Sequence, residues 1–396
     1  MFNYMNTINY TTIFFAFLIS TPLFASDDAL LGNWGGLKNK LADSGYDLNI
    51  AYKGDYVSSV QGGLEKKGGY LGNADITFDL DLEKILSAKG FSLFLYGLAI
   101  HGVDPTDYIG DSFATSNIQA PDTVKLYEAF LKYNFNEQTS ILLGLRDLNA
   151  NFYSTASSSM LLNSVFGISA SLSQTGVNGP SIFPQTSVAA VFNHQSDTNF
   201  YFYAGLFNAR AGDPTNGIGT HAYIKDEEGY LNIGEAGYLD NKNESGSKKY
   251  GIGAWNYTKP VAAVDPAQPQ SANWGLYGLL DHGFTKSFSV FARHGVAASD
   301  VNTFKAASEI GFSAAALFES RPDDILSMGY TVATTSEVFL KINSSADNES
   351  VTEISYQVAV VDGLSLTPDY QYIVNPGLSN AAEPAHVFSL RLKLQL

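Results

Sequence analysis

The chain has no cysteine in its 396 residues, so disulfides and thiolate metal sites play no part in its fold. Charge is scarce: Asp, Glu, Lys and Arg make up 16 % of the chain, against about 25 % in ordinary soluble domains. Basic charge is scarcer still, with 23 Lys and Arg against 39 Asp and Glu and a net charge of −16. That balance argues against nucleic acid as a partner, since a phosphate backbone is held by basic patches. Beyond the N-terminus no apolar run approaches the roughly 20 residues of a membrane-spanning helix. The six histidines (His101, His194, His221, His282, His294 and His386) are scattered, and no HExxH, GxSxG or calcium-loop pattern occurs. The pair Asp281–His282 lies on a predicted strand, where neighbours face opposite ways and form no simple dyad. The sequence therefore offers no catalytic residues, no metal site and no cofactor. A barrel enzyme is the minor alternative.

Aromatic residues and glycine are abundant: 26 Phe, 23 Tyr and 36 Gly. Low charge, many aromatics and no spanning helix suit a transmembrane β-barrel, whose signal per strand is weak. A large secreted β-sandwich or β-helix fits the composition equally well. The N-terminus points to export. Residues 13–20 (IFFAFLIS) form an apolar core too short to span, and TPLFAS offers a cut after Ala25. Residues 1–25 are read as a signal peptide, although Met1–Thr12 lacks Lys and Arg. The competing reading is a buried first strand, which the abrupt change to SDD at Ser26 disfavours. Residues 26–46 are read as an N-terminal segment on the periplasmic side, with a short helix from about Leu37 to Ala42 ended by Gly45. Residues 47–396 are read as the barrel.

Segments alternating between apolar and polar residues recur over 47–60, 70–82, 90–101, 124–135, 138–147, 186–195, 198–209, 229–240, 247–259, 272–283, 287–296, 304–317, 324–334, 350–361, 364–374 and 385–396. Period 2 is the signature of a strand. Most of the sixteen are near the 9–11 residues that a tilted strand needs to cross a bilayer. Short turns (EKILSAKG, NEQ) alternate with long loops at about 102–123 and 148–185, the layout of an antiparallel barrel with both termini on one side. In ADITFDLDL, Ile76, Phe78 and Leu80 oppose Asp75, Thr77, Asp79 and Asp81. In the terminal HVFSLRLKLQL, Phe388, Leu390, Leu392 and Leu394 oppose Ser389, Arg391 and Lys393. The apolar face is predicted to meet lipid and the polar face a wet lumen, which makes Arg391→Leu a tolerated change. Tyr127, Tyr133, Phe135, Tyr201, Tyr203, Tyr370 and Tyr372 fall near strand ends, where interfacial girdles sit.

Several segments, in order along nearly the whole mature chain, resemble the carbohydrate-selective porin (OprB) family: GNWGGLKNKLADSGYDLNIAYKGD, GGYLGNADITFDLDLEKI, EAFLKYNFNEQTSILLGLRDLNANFYST, NWGLYGLLDHGF, RPDDILSMGY and ISYQVAVVDGLSLTPDYQYIVNPG. The family often ends in an aromatic residue, whereas this chain ends in Leu396. The resemblance implies an all-β, transmembrane antiparallel barrel of sixteen strands, with a short N-terminal helix and extracellular loops folded inward. It also implies passive passage of small carbohydrates through an outer membrane, with arginine and acidic side chains around a constriction. The partners that follow are small carbohydrates, outer-membrane lipid and lipopolysaccharide, and the barrel-assembly machinery. The assembly state is monomer or homotrimer, and a general diffusion porin is the nearest alternative.

Candidate pore residues come from the predicted lumen faces. Glu128 and Lys132 share a face four residues apart, and Arg146 ends the next strand. Arg293, Arg391, Lys393, Asp75 and Asp79 also face inward. Charged forks suit sugar hydroxyls as donors and acceptors, and suit structural ion pairs equally. In the loop 149–185, Phe152, Tyr153 and Phe166 either offer flat faces to a sugar ring or pack the loop against the wall.

Overall fold

The structure, a computed structural model, describes residues 29–176, 178–212, 228–243 and 246–396. The segment read as a signal peptide, residues 1–25, lies outside the described residues. Sixteen antiparallel strands form the molecule. The first eight are β1 (Tyr46–Gln61), β2 (Lys67–Asp81), β3 (Phe91–Gly102), β4 (Thr123–Asn134), β5 (Thr139–Arg146), β6 (Ser187–Gln195), β7 (Phe200–Asn208) and β8 (Tyr230–Asp240). The rest are β9 (Lys248–Tyr257), β10 (Trp274–Thr285), β11 (Phe288–Ala297), β12 (Phe304–Ala315), β13 (Ile325–Thr335), β14 (Asn348–Val361), β15 (Leu364–Val374) and β16 (Ala385–Gln395). Each strand pairs with its neighbours in sequence, and β16 pairs back to β1 to close the barrel. The boundaries agree with the periodicity to within three residues, because a bilayer-spanning strand leaves little freedom over where alternation starts and stops.

Closure answers what a two-faced terminal strand is for. Along β16, Phe388 and Leu390 are exposed on the outer surface, while Ser389 and Arg391 are buried inside. The register sets Arg391 opposite Asp55 and Lys393 opposite Lys53. Every backbone group of a closed sheet finds a partner, which is the condition for crossing hydrocarbon. The chain end is tied down as well: the Leu396 N–H donates to the Ile50 carbonyl at 2.9 Å.

The helices are short. α1 (Leu37–Asp43) stops where Gly45 takes a left-handed φ of 91°, as the sequence predicts. α2 (Leu82–Leu86) fills the β2–β3 turn and is capped by Asp81, which accepts from the Glu83 and Lys84 N–H groups. α3 (Thr106–Ile109) belongs to the β3–β4 loop and α4 (Ala170–Ser173) to the β5–β6 loop. Both loops fold into the barrel, where Tyr108, Phe113, Phe152, Tyr153 and Phe166 are buried.

Faces follow the alternation on most strands, with one correction. Tyr133 and Phe135 do belong to an outer aromatic band with Phe91, and Tyr370 packs on Phe388 outside. Tyr127, Tyr201 and Tyr203 do not belong to a girdle. They point inward, Tyr127 donating to Asp147 (2.6 Å) and Tyr201 to Glu235 (2.9 Å). The misreading has a physical cause. On β7 both faces are apolar (FYFYAGLFN), so alternation cannot say which tyrosines face lipid. On β4 a bulge between the pairs Tyr96–Glu128 and Gly97–Leu126 turns two consecutive residues, Tyr127 and Glu128, to the inside.

Candidate channel and its lining

The β5–β6 loop lays one run of apolar side chains against β6–β11. From β6 to β11 the inward residues are largely apolar, among them Val191, Phe207, Leu231, Ile233, Trp255 and Leu279. The β5–β6 loop lays Leu148, Phe152, Tyr153, Ile168 and Leu172 against them. Tyr153 stacks on Tyr277 with ring centroids 3.9 Å apart, and Phe152 meets Phe207 edge-on at 6.2 Å. Gly295 on β11 makes this approach possible, since a Cβ there would strike the Tyr153 hydroxyl and Ser171. Tyr153 holds a left-handed φ of 54°, unfavourable for a residue with a Cβ. The Glu235 carboxylate, which accepts the Tyr153 N–H at 2.7 Å, holds it there.

Carboxylates on the lumen face of the strands do most of the polar fastening. Glu353 of β14 accepts the Leu162 and Asn163 N–H groups, and Asp281 of β10 accepts the N–H and hydroxyl of Ser157. Glu349 of β14 accepts the N–H and hydroxyl of Ser112, from the β3–β4 loop. Gln371 of β15 donates to the Thr115 carbonyl and accepts from the Asn163 side chain. A loop carries unpaired N–H groups and is held by acceptors aimed at them. This is where much of the acidic excess is used. Composition shows the excess but not its role, because loop and strand lie far apart in sequence.

What the loops leave open is a cavity of about 610 Å³ against the remaining wall. Its wall residues come from β14–β16 and β1–β5, including Gln357, Thr367, Arg391, Lys393, Lys53, Tyr96 and Arg146. The loops contribute amides and hydroxyls such as Asn117, Gln119, Asn149, Ser159 and Gln185. Three ion pairs sit along the wall. Arg391 grips Asp55 with two bonds (2.8 and 2.7 Å), and its guanidinium reaches Ser116 of the β3–β4 loop at 3.3 Å. Arg146 donates to Glu128 at 2.8 Å and to Asn151 at 2.8 and 3.1 Å, with its guanidinium 4.7 Å from the Phe130 ring centroid. Lys53 meets Asp75 at 3.1 Å, where the Tyr96 hydroxyl also donates at 2.7 Å. Glu128 additionally accepts the Asp147 N–H, and burial beside Glu128 lifts the Asp147 carboxyl to about 6.

The sequence candidates therefore divide. Arg146, Glu128, Arg391 and Lys393 come together on the cavity wall. Asp75 is next to them through Lys53, and Asp79 and Lys132 lie within electrostatic reach of each other. Arg293 faces inward but lies beneath the loop. Its guanidinium donates to the carbonyls of Tyr153, Val165, Phe166 and Gly167 at 3.0–3.3 Å, and its Nε is 3.6 Å from buried Glu309. Phe152 and Tyr153 are wholly buried, so they present no face to a solute. They serve as the packing that joins loop to wall. The partly exposed aromatics at the cavity are Tyr96 and Phe183, which both meet the Tyr127 ring edge-on, with centroids 5.1 and 6.2 Å away. Lys53, Asp55, Tyr96 and Ser116 were absent from the sequence candidates. The alternation of β1 could have flagged the first two, since Lys53 and Asp55 share a face.

Arg391 is also not the water-exposed residue expected from alternation alone. It is 8 % exposed and committed to Asp55, itself fully buried. Alternation gives the face of a side chain but not whether the space there is filled.

A closed sixteen-stranded barrel, narrowed by two inward loops over a polar cavity, matches known proteins along its length. The high-pH structure of OprB from Pseudomonas putida superposes with a TM-score of 0.82 at 19 % identity, covering 94 % of this chain and 99 % of that one. The outer membrane channel DcaP of Acinetobacter baumannii superposes with a TM-score of 0.58 at 11 % identity, covering 89 % and 98 %. These two likenesses are of fold. In sequence, Porin B of Pseudomonas aeruginosa is 37 % identical over 62 residues, a stretch spanning 15 % of this chain and 14 % of that protein. The family model for the carbohydrate-selective porin, OprB family, matches residues 65–396, and the chain belongs to that family.

Proposed function

We propose that the chain is a passive channel of the Gram-negative outer membrane, through which small carbohydrates diffuse in preference to other solutes. The observation that carries this reading is the wall of the cavity. Its paired charges and its ring of amides and hydroxyls offer donors and acceptors together, as a polyhydroxylated solute requires. Because each arginine is already bound to a carboxylate, a passing hydroxyl meets a fork that is oriented but not strongly attractive. Weak contact is what flux demands, since a tight site would hold its solute. In this reading the termini and short turns face the periplasm and the long loops the exterior. The channel works as a monomer or homotrimer, amid outer-membrane lipid and lipopolysaccharide, after insertion by the barrel-assembly machinery.

The test is conductance in planar bilayers with a series of neutral sugars. Saturable, millimolar block by glucose or maltose is the expected result, and ohmic current indifferent to every sugar would make the protein a general diffusion porin. Arg146→Ala sharpens the test. The variant should assemble, show sugar block weakened about tenfold, the worth of one hydrogen bond to a charged group, and shift selectivity toward cations. An unchanged block constant would reduce Arg146 to a wall residue.

A further inference from the structure

Four cations line the cavity, and three of them are bound to carboxylates: Arg146 to Glu128, Arg391 to Asp55 and Lys53 to Asp75. The fourth, Lys393, makes no hydrogen bond and no ion pair among the described residues. Its surroundings make that costly. Lys393 lies directly opposite Lys53 in the β1–β16 register, two residues beyond Arg391 on its own strand. Like charges placed opposite each other on one face repel. Asp75, the carboxylate that acts on Lys393 from β2, is already taken by Lys53 at 3.1 Å and the Tyr96 hydroxyl at 2.7 Å. Asp55 is taken by Arg391.

A second group nearby is also unsatisfied. In the β1–β2 register Lys53 faces Asn73, which lines the cavity at 1 % exposure, and its side-chain nitrogen has no partner. Lys393, Lys53 and Asn73 thus form a row across three adjacent strands. All three line the cavity, and the Lys393 ammonium and the Asn73 amide nitrogen have no partner among the described residues.

We propose that this row is a subsite for an anionic substituent, a carboxylate or phosphate carried on a small polyhydroxylated solute such as a sugar acid. The inference builds on the channel reading and extends its solutes from neutral sugars to anionic ones. The anion would take the place that no carboxylate of the protein fills at Lys393. The Asn73 amide would add a directed bond, and Gln357 and Thr367 on the same wall would meet the hydroxyls. The Lys53–Asp75 pair keeps the site from holding the anion tightly.

The experiment is block of single-channel current by gluconate and by glucose, in the wild type and in Lys393→Gln. Gluconate is expected to block the wild type more strongly than glucose. Lys393→Gln should weaken gluconate block about tenfold, the loss of one charge-assisted contact, and change glucose block far less. Lys393→Arg should restore it. Should Lys393→Gln fail to assemble, salt replaces it. Raising KCl from 0.1 to 1 M shortens screening from about 10 Å to about 3 Å, so it must weaken gluconate block of the wild type while sparing glucose block. A wild type that gluconate does not block overturns the subsite, as does a variant in which both solutes change alike or neither changes. A channel blocked by gluconate but not by glucose removes the sugar preference, and the subsite then stands on the variant result.

Discussion

On β14–β16 and β1–β5 many inward side chains are charged or carry amides, and several of them, among them Gln357, Lys393, Lys53 and Arg146, border open space. On β6–β11 they are mostly valine, leucine and aromatic rings, and they border the β5–β6 loop. One barrel thus has a wet arc and a dry arc, and the loop is the boundary between them. A loop inside a channel must be held against thermal motion, and apolar packing is the strongest non-directional means available. Buried carboxylates then fix its path by accepting specific N–H groups. The opposite arc carries the same kinds of charged residue, and some of them, among them Arg146, Arg391 and Lys393, line the cavity. An arginine on the dry arc, Arg293, works as a clamp on four backbone carbonyls. An arginine on the wet arc, Arg146, holds one carboxylate and one amide and borders the cavity.

The contrast can be broken most severely on the dry side. Arg293→Met strands Glu309 as an unpaired buried charge, a loss of about 3–5 kcal/mol. It also frees four carbonyls of the loop. The expected outcome is a lower unfolding temperature and a channel whose conductance rises several-fold as the loop leaves the wall. Both are read from thermal unfolding in detergent and from planar bilayers. Unchanged conductance would mean the loop is held without its clamp.

Next in size is the outer face, which tests the wall that both arcs share. Leu392→Arg puts a charge against lipid at a cost of about 2–4 kcal/mol near the midplane, and should assemble poorly by heat-modifiable mobility. For Arg391→Leu the structure reverses the outcome expected from alternation. The substitution leaves Asp55 buried without its bidentate partner, so the variant should be destabilised and its β3–β4 loop loosened through Ser116. Removing both charges together, Asp55→Leu with Arg391→Leu, should recover most of the stability. Equal stability of the single and double variants would show that the pair is not coupled.

The smallest effect concerns the β3–β4 loop, where burial, with Glu349 close by, lifts the Asp111 carboxyl from 3.8 to about 8. A carboxyl whose acidity falls on docking favours the docked loop when protonated. Its contribution is complete below about pH 4 and is lost as pH rises through about 8. Current fluctuations from loop opening should therefore grow between about pH 4 and about pH 8 in the wild type and level off above that, and Asp111→Asn should flatten the rise. A rise of equal size in the variant would assign it to another group.

How much of this was legible in the sequence depended on the arc. On β2, β14, β15 and β16 one face is polar and the other apolar, so period 2 assigned strand, register and face together. On β7 the dry arc makes both faces apolar, and Tyr201 and Tyr203 were read as girdle residues when they point inward. On β4 the bulge at Tyr127 shifted the phase in mid-strand, which no local pattern announced. Arg146, Glu128 and Arg391, which line the cavity, were singled out because charge on a predicted lumen face is conspicuous. Phe152 and Tyr153 were noticed but given a solute-facing alternative, because an aromatic pair in a loop looks the same whether it meets solvent or a wall.

By itself, then, the sequence determined the barrel: sixteen strands, their ends, and for most of them which side meets lipid. A closed sheet in hydrocarbon admits one solution for a chain alternating at that length, and the information is local. The tertiary structure alone decided which inward residues border open space. Whether Arg293 clamps a loop while Lys393 stands without a partner depends on where a loop distant in sequence comes to rest. That in turn is set by packing against β6–β11 and by carboxylates that meet their N–H partners only once the barrel has closed.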